Sequence, residues 1–515
     1  MGGFDSDRRR GWRGGLLHPL PWLLAQALVL VWRCAATGRL VAERVPDSGG
    51  YLSLAKLSLS SDRWLETVLG ATRTYGYPLF LKVLGWGSPK LEAVPAAQLV
   101  GYLLALLLFW HGFHRYSGRP WLAFWAVTPL FYADVLSSVA RIQADFLAAS
   151  AALASLGLLL WLARSPRSPV LWGALTVAVV FSYHVRPAYL YLLALIPVLG
   201  LVLRWLLPEE RRLRWRWGLG LGLAMALPFL AYSSLRWEVL GHFGLVSFGG
   251  YNLAGVATPL LDETLIADLP EGQRRLARVI LEYRGELGLD RVTWETPLRR
   301  WQSQYNRSIW LAAVPAARQE VRRIGPEPET TEEVRLRREV LLKRKARADG
   351  RQLTADERAE LREERQRRRM LREARRTDRT DEAAALNRNL SELSRSILER
   401  RPLLYAKWVL GGFGTGTGKA WKSRWVHWPG SALLLLGAAA GGLHLRYRRR
   451  PEEDPPPDRA ALPGRLRWTW RSAAMAVVAA GYFAVGLGLV VLVEVPFDRY
   501  MVALTLLLPG ALLTA

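Results

Sequence analysis

The sequence predicts an all-α polytopic membrane protein with about ten transmembrane helices. Its 515 residues are 51% hydrophobic and include 23 tryptophans, a composition that is unusual for soluble domains. Apolar runs of about 20 residues recur along the chain, and that length of helix crosses a hydrocarbon core of about 30 Å. Arginines cluster in the short loops beside these runs, as membrane orientation requires.

The first predicted span runs from about Leu16 to Ala36, after an N-terminal segment with four arginines. A cleaved signal peptide is the alternative, but the run is longer than a usual signal core and Trp22 and Trp32 flank it like interfacial anchors. The other spans are predicted at 92–113, 120–138, 144–163, 170–185, 187–207, 217–236, 428–445, 471–493 and 500–515.

These spans divide the chain into four parts. They are a cytoplasmic N-terminus (1–14), a transmembrane module (15–236) with an outer loop at 37–91, a large extracytoplasmic loop (237–427), and C-terminal transmembrane helices (428–515). Alternation then places loops 114–120, 164–169, 204–217 and 446–467 inside, and each is rich in arginine. The positive-inside rule therefore predicts cytoplasmic N- and C-termini. The preference for Arg over Lys and the lack of endoplasmic-reticulum signals indicate a bacterial cell (inner) membrane.

The net charge of +26 is explained by these loops and one charged insert, so no nucleic acid is expected as a partner. The single cysteine, Cys34, excludes an intrachain disulfide. The insert at about 319–382 is mostly Arg and Glu, which predicts long charged solvated helices or a partly disordered segment, without catalysis. Residues 242–261 are expected to form a loop resting on the membrane or over a lipid groove. Residues 386–410 predict an amphipathic helix that borders the acceptor cleft or simply lies on the interface.

One glycine-rich stretch resembles a phosphate-binding loop. GGFGTGTGKAW at 411–421 lacks P-loop spacing and has Ala420 where Ser or Thr would hold magnesium. A flexible loop before the eighth span is therefore predicted.

Polar residues converge on the outer side under this topology. Charges at membrane depth are costly, so their clustering indicates a site. They are Asp47 and Arg73 in the first outer loop, Arg141 and Asp145 at the start of the fourth span, His184 and Arg186 between the fifth and sixth spans, and Glu494, Asp498 and Arg499 between the ninth and tenth.

The run PDSGGYLSLAKL followed by TRTYGYPLFLKVLG resembles the first outer loop of the integral-membrane glycosyltransferases with a GT-C fold. That group includes the protein O-mannosyltransferases and the aminoarabinose transferase of lipid A. Asp47, Tyr51, Arg73 and the Gly76-Tyr77-Pro78 turn match in order. The stretches around Asp145, Arg186 and Arg499-Tyr500 agree with the same pattern, so the resemblance covers residues 15–255 and 390–515.

The resemblance implies a GT-C-like fold with amphipathic helices in the outer loop. It implies a sugar donor linked to polyprenyl phosphate in the lipid bilayer, and a lipid, glycan or protein acceptor. Asp47 is the expected catalytic base, since a carboxylate orients a weak nucleophile and accepts its proton. Arg499, Arg186 and Arg73 are expected to bind the donor phosphate, because guanidinium groups contact phosphate oxygens in pairs.

Asp145 is the second expected catalytic residue, either positioning the acceptor or binding a divalent cation together with His184. Whether any metal or other cofactor is required is left open. The expected substrate-binding residues are Tyr51, Tyr77, His184 and Tyr500.

Each assignment has a structural alternative. Asp47 sits where it would cap the helix that starts near Tyr51. The arginines suit interfacial or ion-paired positions, and His184 suits a scaffold role. For the whole chain, the alternatives are a lipid or glycan transporter without enzymatic activity and a catalytically degenerate relative that binds lipid.

Overall fold

The computed structural model describes residues 18–60, 64–85, 91–207, 214–324, 382–423, 426 and 463–514. This part of the chain is all-helical, and its only β-type pairing is an isolated bridge between Glu43 and Arg141. The chain forms two compact units. The first comprises Met1–Trp64, Arg73–Leu245 and Lys407–Ala515, and the second Leu65–Thr72 and Val246–Ala406.

The helices are numbered in chain order. They are α1 (Leu20–Ala36), α2 (Ser48–Ala55), α3 (Trp64–Gly70), α4 (Gly76–Gly85), α5 (Ala93–Ser117), α6 (Pro120–Val127), α7 (Ala144–Arg164), α8 (Pro169–Val185), α9 (Leu192–Trp205) and α10 (Arg214–Leu240). After these come α11 (Gly249–Ala257), α12 (Glu263–Asp268), α13 (Glu271–Glu286), α14 (Leu298–Arg307), α15 (Val314–Ile324), α16 (382–400), α17 (Pro402–Lys422), α18 (Pro463–Val493), α19 (Asp498–Leu504) and α20 (Leu508–Thr514).

Five helices of the described residues are long and apolar enough to cross a membrane, as expected for a membrane protein. They are Ala93–Ser117, Ala144–Arg164, Pro187–Trp205, Trp215–Leu240 and Ala474–Val493. Three predicted spans correspond to shorter apolar helical segments, at Leu20–Ala36, Pro169–Val185 and Tyr500–Thr514. The predicted span at 428–445 lies outside the described residues.

The predicted third span, 120–138, is not a continuous helix. It consists of α6 and two 3-10 turns, Thr128–Tyr132 and Asp134–Ser138, separated by extended Ala133. Pro129 has no backbone N–H to donate to a regular helix. The Tyr102 hydroxyl donates to the carbonyl of Leu130 in this segment at 2.7 Å.

This irregular segment nevertheless returns the chain across the bundle. Leu147 lies close to Gly101, and Gly157 contacts the backbone of Gly112, so the contacts between α5 and α7 advance in the same direction along both helices. Two parallel neighbours require the residues between them to travel back from one end to the other. Gly112 and Gly157 let the two backbones touch, as small residues do in membrane helix pairs.

The two ends of the first unit are defined by side-chain hydrogen bonds. At one end, which we call the Asp145 end, Gln98 of α5 donates to the Val139 carbonyl just before α7 at 2.8 Å. At the other, the Arg204 end, the Tyr116 hydroxyl donates to the Leu203 carbonyl at 2.8 Å and Arg204 donates to the Ala163 carbonyl at 3.0 Å.

The glycine-rich stretch 411–421 is helical, so the predicted flexible loop is wrong. It forms about half of α17, where Gly412 and Gly416 pack closely against Val491 and Leu487 of α18, so that a larger side chain would have to displace them. Buried Trp408 donates its indole N–H to the Val491 carbonyl at 2.9 Å. The packing of small residues against α18 outweighs the low helix propensity of glycine here.

The second unit is a compact helical body made of Leu65–Thr72 from the first outer loop and Val246–Ala406 from the predicted large extracytoplasmic loop. Residues 249–260, expected to form part of a loop resting on the membrane, instead form α11 and a 3-10 turn, with Ala254, Ala257 and Leu260 buried. A buried Arg284 ties this region together by donating to the carbonyls of Thr258 and Asp290. Of the predicted charged insert, the structure describes residues 319–324 in α15 and residue 382 in α16, and the rest of the insert lies outside the described residues.

Candidate functional site

The first outer loop carries an accessible ion pair. Asp47 occupies the N-cap position of α2 but makes no capping hydrogen bond from its side chain. Its Oδ1 instead accepts from Arg73 Nη2 at 2.9 Å, and both side chains are 32% exposed. Ser48 ties this turn to the bundle by donating to the Ile142 carbonyl at 2.9 Å. The capping alternative for Asp47 is therefore not what the structure shows.

Aromatic contacts hold Arg73 in place. Its guanidinium carbon lies 4.6 Å above the Tyr51 ring, and the Tyr51 and Tyr77 rings meet edge to face at 5.0 Å. Burial disfavours the charged guanidinium, but the interactions with Tyr51 and Asp47 outweigh it and raise the pKa of Arg73. Arg73 therefore remains a fixed cation.

Tyr77 connects this loop to the bundle. Its hydroxyl donates to Gln98 Oε1 at 3.4 Å, and Gln98 in turn donates to the Val139 carbonyl. Burial is the main cause that raises the pKa of Tyr77 above its ordinary value, so the hydroxyl stays neutral.

A second ion pair is buried nearby, between Asp145 in the first turn of α7 and Arg186 immediately after α8. Arg186 Nη1 donates to Asp145 Oδ2, and the side chains are 11% and 13% exposed respectively. The Arg186 guanidinium lies 5.3 Å from the Tyr500 ring, and the Tyr500 hydroxyl donates to Glu494 Oε2 at 2.7 Å. Burial lowers the pKa of Arg186, but the charge of Asp145 and its other neighbours more than restores it.

The two ion pairs belong to one group of residues at the Asp145 end. Tyr51 lies close enough to Arg186 to interact with its charge, and Asp145 acts in the same way on the Tyr77 hydroxyl. The structure thus brings together most of the residues expected from the sequence. They are Asp47, Tyr51, Arg73, Tyr77, Asp145, Arg186 and Tyr500.

His184 and Arg499 are placed differently. The His184 ring packs edge to face against Tyr232 of α10 at 4.7 Å, and its backbone packs against Gly76. These are packing contacts of the kind that the scaffold alternative predicts. Arg499 lies in α19, but its side chain is outside the described part of the structure.

The residues that the structure describes include no group of three or more His, Cys, Asp or Glu side chains placed to hold a metal ion. Asp145 itself is bound by Arg186.

Two polar residues near the site were not expected from the sequence. Glu43 pairs with Arg141 at 3.6 Å, and Gln98 bridges Tyr77 to the start of α7. Gln98 has the clearer sequence signal, because it is an amide within an apolar run. Glu43 lies in a loop at a span end, where acidic residues are common. Glu494, which belongs to the group of charges expected on this side, accepts from Tyr500.

The two ion pairs differ in what they offer to a ligand. The Asp47–Arg73 pair is about one-third exposed, whereas the Asp145–Arg186 pair is almost enclosed. A guanidinium has five N–H donors, and the hydrogen bond from Arg73 to Asp47 uses one of them. The accessible pair can therefore meet an anionic substrate, while the buried pair fixes α7, α8 and Tyr500 behind it.

Comparison with protein-family models, with curated proteins and with solved structures gives no match. The function therefore has to be inferred from the residues of this chain and from their contacts.

Proposed function

We propose that this chain is an integral-membrane glycosyltransferase. It moves a sugar from a polyprenyl-phosphate donor to a lipid, glycan or protein acceptor at the extracytoplasmic face of the membrane, and its fold is of the GT-C type. The observation that carries the proposal is the accessible pair of Asp47 and Arg73, in which a carboxylate and a guanidinium lie side by side.

The reaction needs both groups. An acceptor hydroxyl or amine attacks the anomeric carbon, a new bond to the sugar forms, and the bond to the phosphate oxygen breaks. The electron pair leaves with the polyprenyl phosphate, whose negative charge grows, and the acceptor proton passes to a base. Asp47 takes the proton, and Arg73 stabilises the developing charge on the phosphate.

The pairing suggests how donor binding prepares the base. A carboxylate held by a guanidinium is a weak proton acceptor, because the cation favours its charged form. A donor phosphate competes with Asp47 for Arg73 Nη2. When the phosphate takes that hydrogen bond, Asp47 loses the stabilisation and its basicity rises beside the sugar.

The remaining residues position this pair. Tyr51 supports the Arg73 guanidinium from below, and Tyr77 with Gln98 fixes the outer loop on α5. The Asp145–Arg186 pair holds the Tyr500 ring nearby. Arg186 and Arg499 remain further candidates for contacts with the phosphate, and Tyr51, Tyr77, His184 and Tyr500 for contacts with the sugar or acceptor.

The test compares lipid-linked glycans in four strains: a deletion strain alone and the same strain complemented with the native gene, Asp47→Asn or Glu43→Gln. Glu43 is the matched control, since it lies in the same outer loop as Asp47 and its carboxylate also pairs with an arginine, Arg141. We expect the deletion and Asp47→Asn strains to accumulate the unused donor, and the other two to be normal. Membrane levels of each variant are measured by immunoblot.

Transfer retained by a stable Asp47→Asn protein would remove Asp47 as the base. An unchanged glycan profile in the deletion strain would overturn the transferase proposal and favour a transporter or a lipid-binding relative. Binding of polyprenyl phosphate without transfer, measured on the purified native protein, would identify the degenerate relative.

A further inference from the structure

The residues that the structure describes at the Arg204 end of the first unit carry positive charge. Its described basic residues include Arg115, Arg119, Arg164, Arg167, Arg204 and Arg216. Among the residues that the structure describes, the acidic side chains of this unit all lie towards the Asp145 end, and this end has none. Such a surface attracts the anionic headgroups of a membrane leaflet, at about 1 kcal/mol for each basic residue near the lipid surface.

An open apolar groove approaches this end along α5 and α7. It has a volume of about 500 Å³ and is lined by Leu104, Leu107, Leu108, Trp110, His111 and Trp161. Leu104 is 56% exposed, so the groove opens sideways at the level of the membrane interior. Its size is that of a site for a small molecule.

A cluster of histidines and aromatic rings lies beside the groove at the Arg204 end. The His18 ring lies 6.0 Å from Trp110 and 6.4 Å from His114. His111 packs against Trp161 at 4.4 Å. Arg115 places its charge beside both His111 and His114. The polar side chains of the histidines and Arg115 thus lie next to the apolar groove, on its side towards the Arg204 end.

The spacing of these parts matches one leaflet of a bilayer. Leu104 and His114 are ten residues apart on α5, which corresponds to about 15 Å along a helix. Half of a hydrocarbon core is also about 15 Å. An acyl chain that fills the groove therefore has its headgroup at the level of His114 and Arg115.

We propose that this groove binds one anionic phospholipid from the leaflet at the Arg204 end. One acyl chain lies along Leu104, Leu107 and Trp161, and the phosphate lies against His114 and Arg115. Arg115 supplies charge and paired N–H donors to the phosphate oxygens.

The experiment titrates the purified full-length protein in detergent with phosphatidylglycerol or phosphatidylcholine and counts retained lipids by native mass spectrometry. Four variants are compared with the native chain. Arg115→Gln removes the proposed phosphate contact, and Arg167→Gln removes an exposed charge at the same end. Leu107→Trp fills the groove, and Val100→Trp adds the same bulk on an exposed position of α5 outside it. Thermal unfolding without added lipid checks that each variant is folded.

We expect one tightly retained phosphatidylglycerol on the native chain and weaker retention of phosphatidylcholine. Arg115→Gln weakens phosphatidylglycerol binding about fivefold, Leu107→Trp abolishes the tight site, and the two controls change binding less than twofold. Equal losses in Arg115→Gln and Arg167→Gln would show diffuse attraction and overturn the proposal. So would tight binding that survives Leu107→Trp, or a native chain that retains no lipid because another part of the chain fills the groove.

Discussion

Arg73 Nη2 lies 2.9 Å from Asp47 Oδ1, although 26 residues separate the two in the sequence. The contact depends on a close approach at Gly50, where an added Cβ would lie 2.8 Å from Arg73 Nε. Gly50 thus leaves the space that the guanidinium occupies between Asp47 and the Tyr51 ring. The neighbouring Gly49 has open space at the same position.

Gly50→Ala is therefore expected to displace the Arg73 side chain while leaving the fold intact, because a flexible side chain can move away. If Arg73 binds the donor phosphate, sugar transfer falls about tenfold or more, in line with the loss of a charged hydrogen bond of about 1.5–3 kcal/mol. Gly49→Ala, the matched control, keeps the native rate. The measurement is the transfer rate of the purified variants, and equal rates for both would separate Arg73 from the reaction.

The buried pair makes a different prediction. Arg186→Met leaves the Asp145 carboxylate enclosed without its cation, and removing one member of a buried pair costs about 3–5 kcal/mol. The double variant Asp145→Asn/Arg186→Met no longer buries a charge and regains much of that stability. Thermal unfolding in detergent compares the two. A double variant as unstable as Arg186→Met would mean that the charge of Asp145 is not what destabilises the protein.

The contact between α5 and α7 also has a matched pair of substitutions. At Gly112 an added Cβ would collide with the backbone of Gly157, whereas at Gly101 it would meet only Leu147 Cδ1 at 3.9 Å. Backbone cannot move aside as a side chain can, so we expect Gly112→Ala to cost about 1–3 kcal/mol and Gly101→Ala about 0.5 kcal/mol or less. The unfolding midpoints of the two variants in detergent check this, and similar midpoints would contradict the helix pairing.

Asp262 of the second unit is expected to make stability depend on acid pH. It accepts from Thr264 Oγ1 and Leu265 N–H at 2.7 Å and pairs with Arg291 and Arg401. Burial raises the pKa of Asp262, but the two hydrogen bonds and the charges of the two arginines together lower it by a larger amount. The net shift of the pKa is therefore downward. A depressed pKa stabilises the folded state above the unfolded value of about 3.9, and this contribution is lost as the pH falls below it.

Asp262→Ala removes an N-cap and is therefore expected to cost about 0.5–2 kcal/mol at pH 7, and less at pH 3. Asp290→Asn serves as the control, because Asp290 and Arg300 form an exposed pair whose side chains are 50% and 61% accessible. Such pairs contribute little. Hydrogen exchange of peptides from 246–324, followed in the full chain between pH 3 and 7, measures both. A loss that does not diminish at low pH would show that the Asp262 charge is not involved.

Hydropathy was sufficient for the apolar helices, since length and composition alone identify Ala93–Ser117 or Ala144–Arg164. It was not sufficient for 120–138, because an apolar average does not reveal where Pro129 interrupts the hydrogen bonding. The helix at Gly411–Ala420 was missed for a related reason. Local propensity argues against a helix there, and the contacts that stabilise it come from α18, far away in the sequence.

The sequence pattern was sufficient to locate the candidate site, but it did not show which of its residues form ion pairs. Alternation of the spans places Asp47, Asp145 and Arg186 at one end without further information. It does not say that Asp47 pairs with Arg73 and Asp145 with Arg186, because pairing depends on how each helix is rotated. The packing of His184 against Tyr232 depends on the same rotation and was equally beyond the sequence pattern.

The contact between Gly112 and Gly157 sets a limit on genetic change. When two side chains pack together, enlargement of one can be offset by a smaller residue at the other. Here both partners already have the smallest residue, and the contact involves backbone atoms. A selection for second-site suppressors of Gly112→Ala should therefore recover reversions or changes that stabilise the protein elsewhere, and none at position 157.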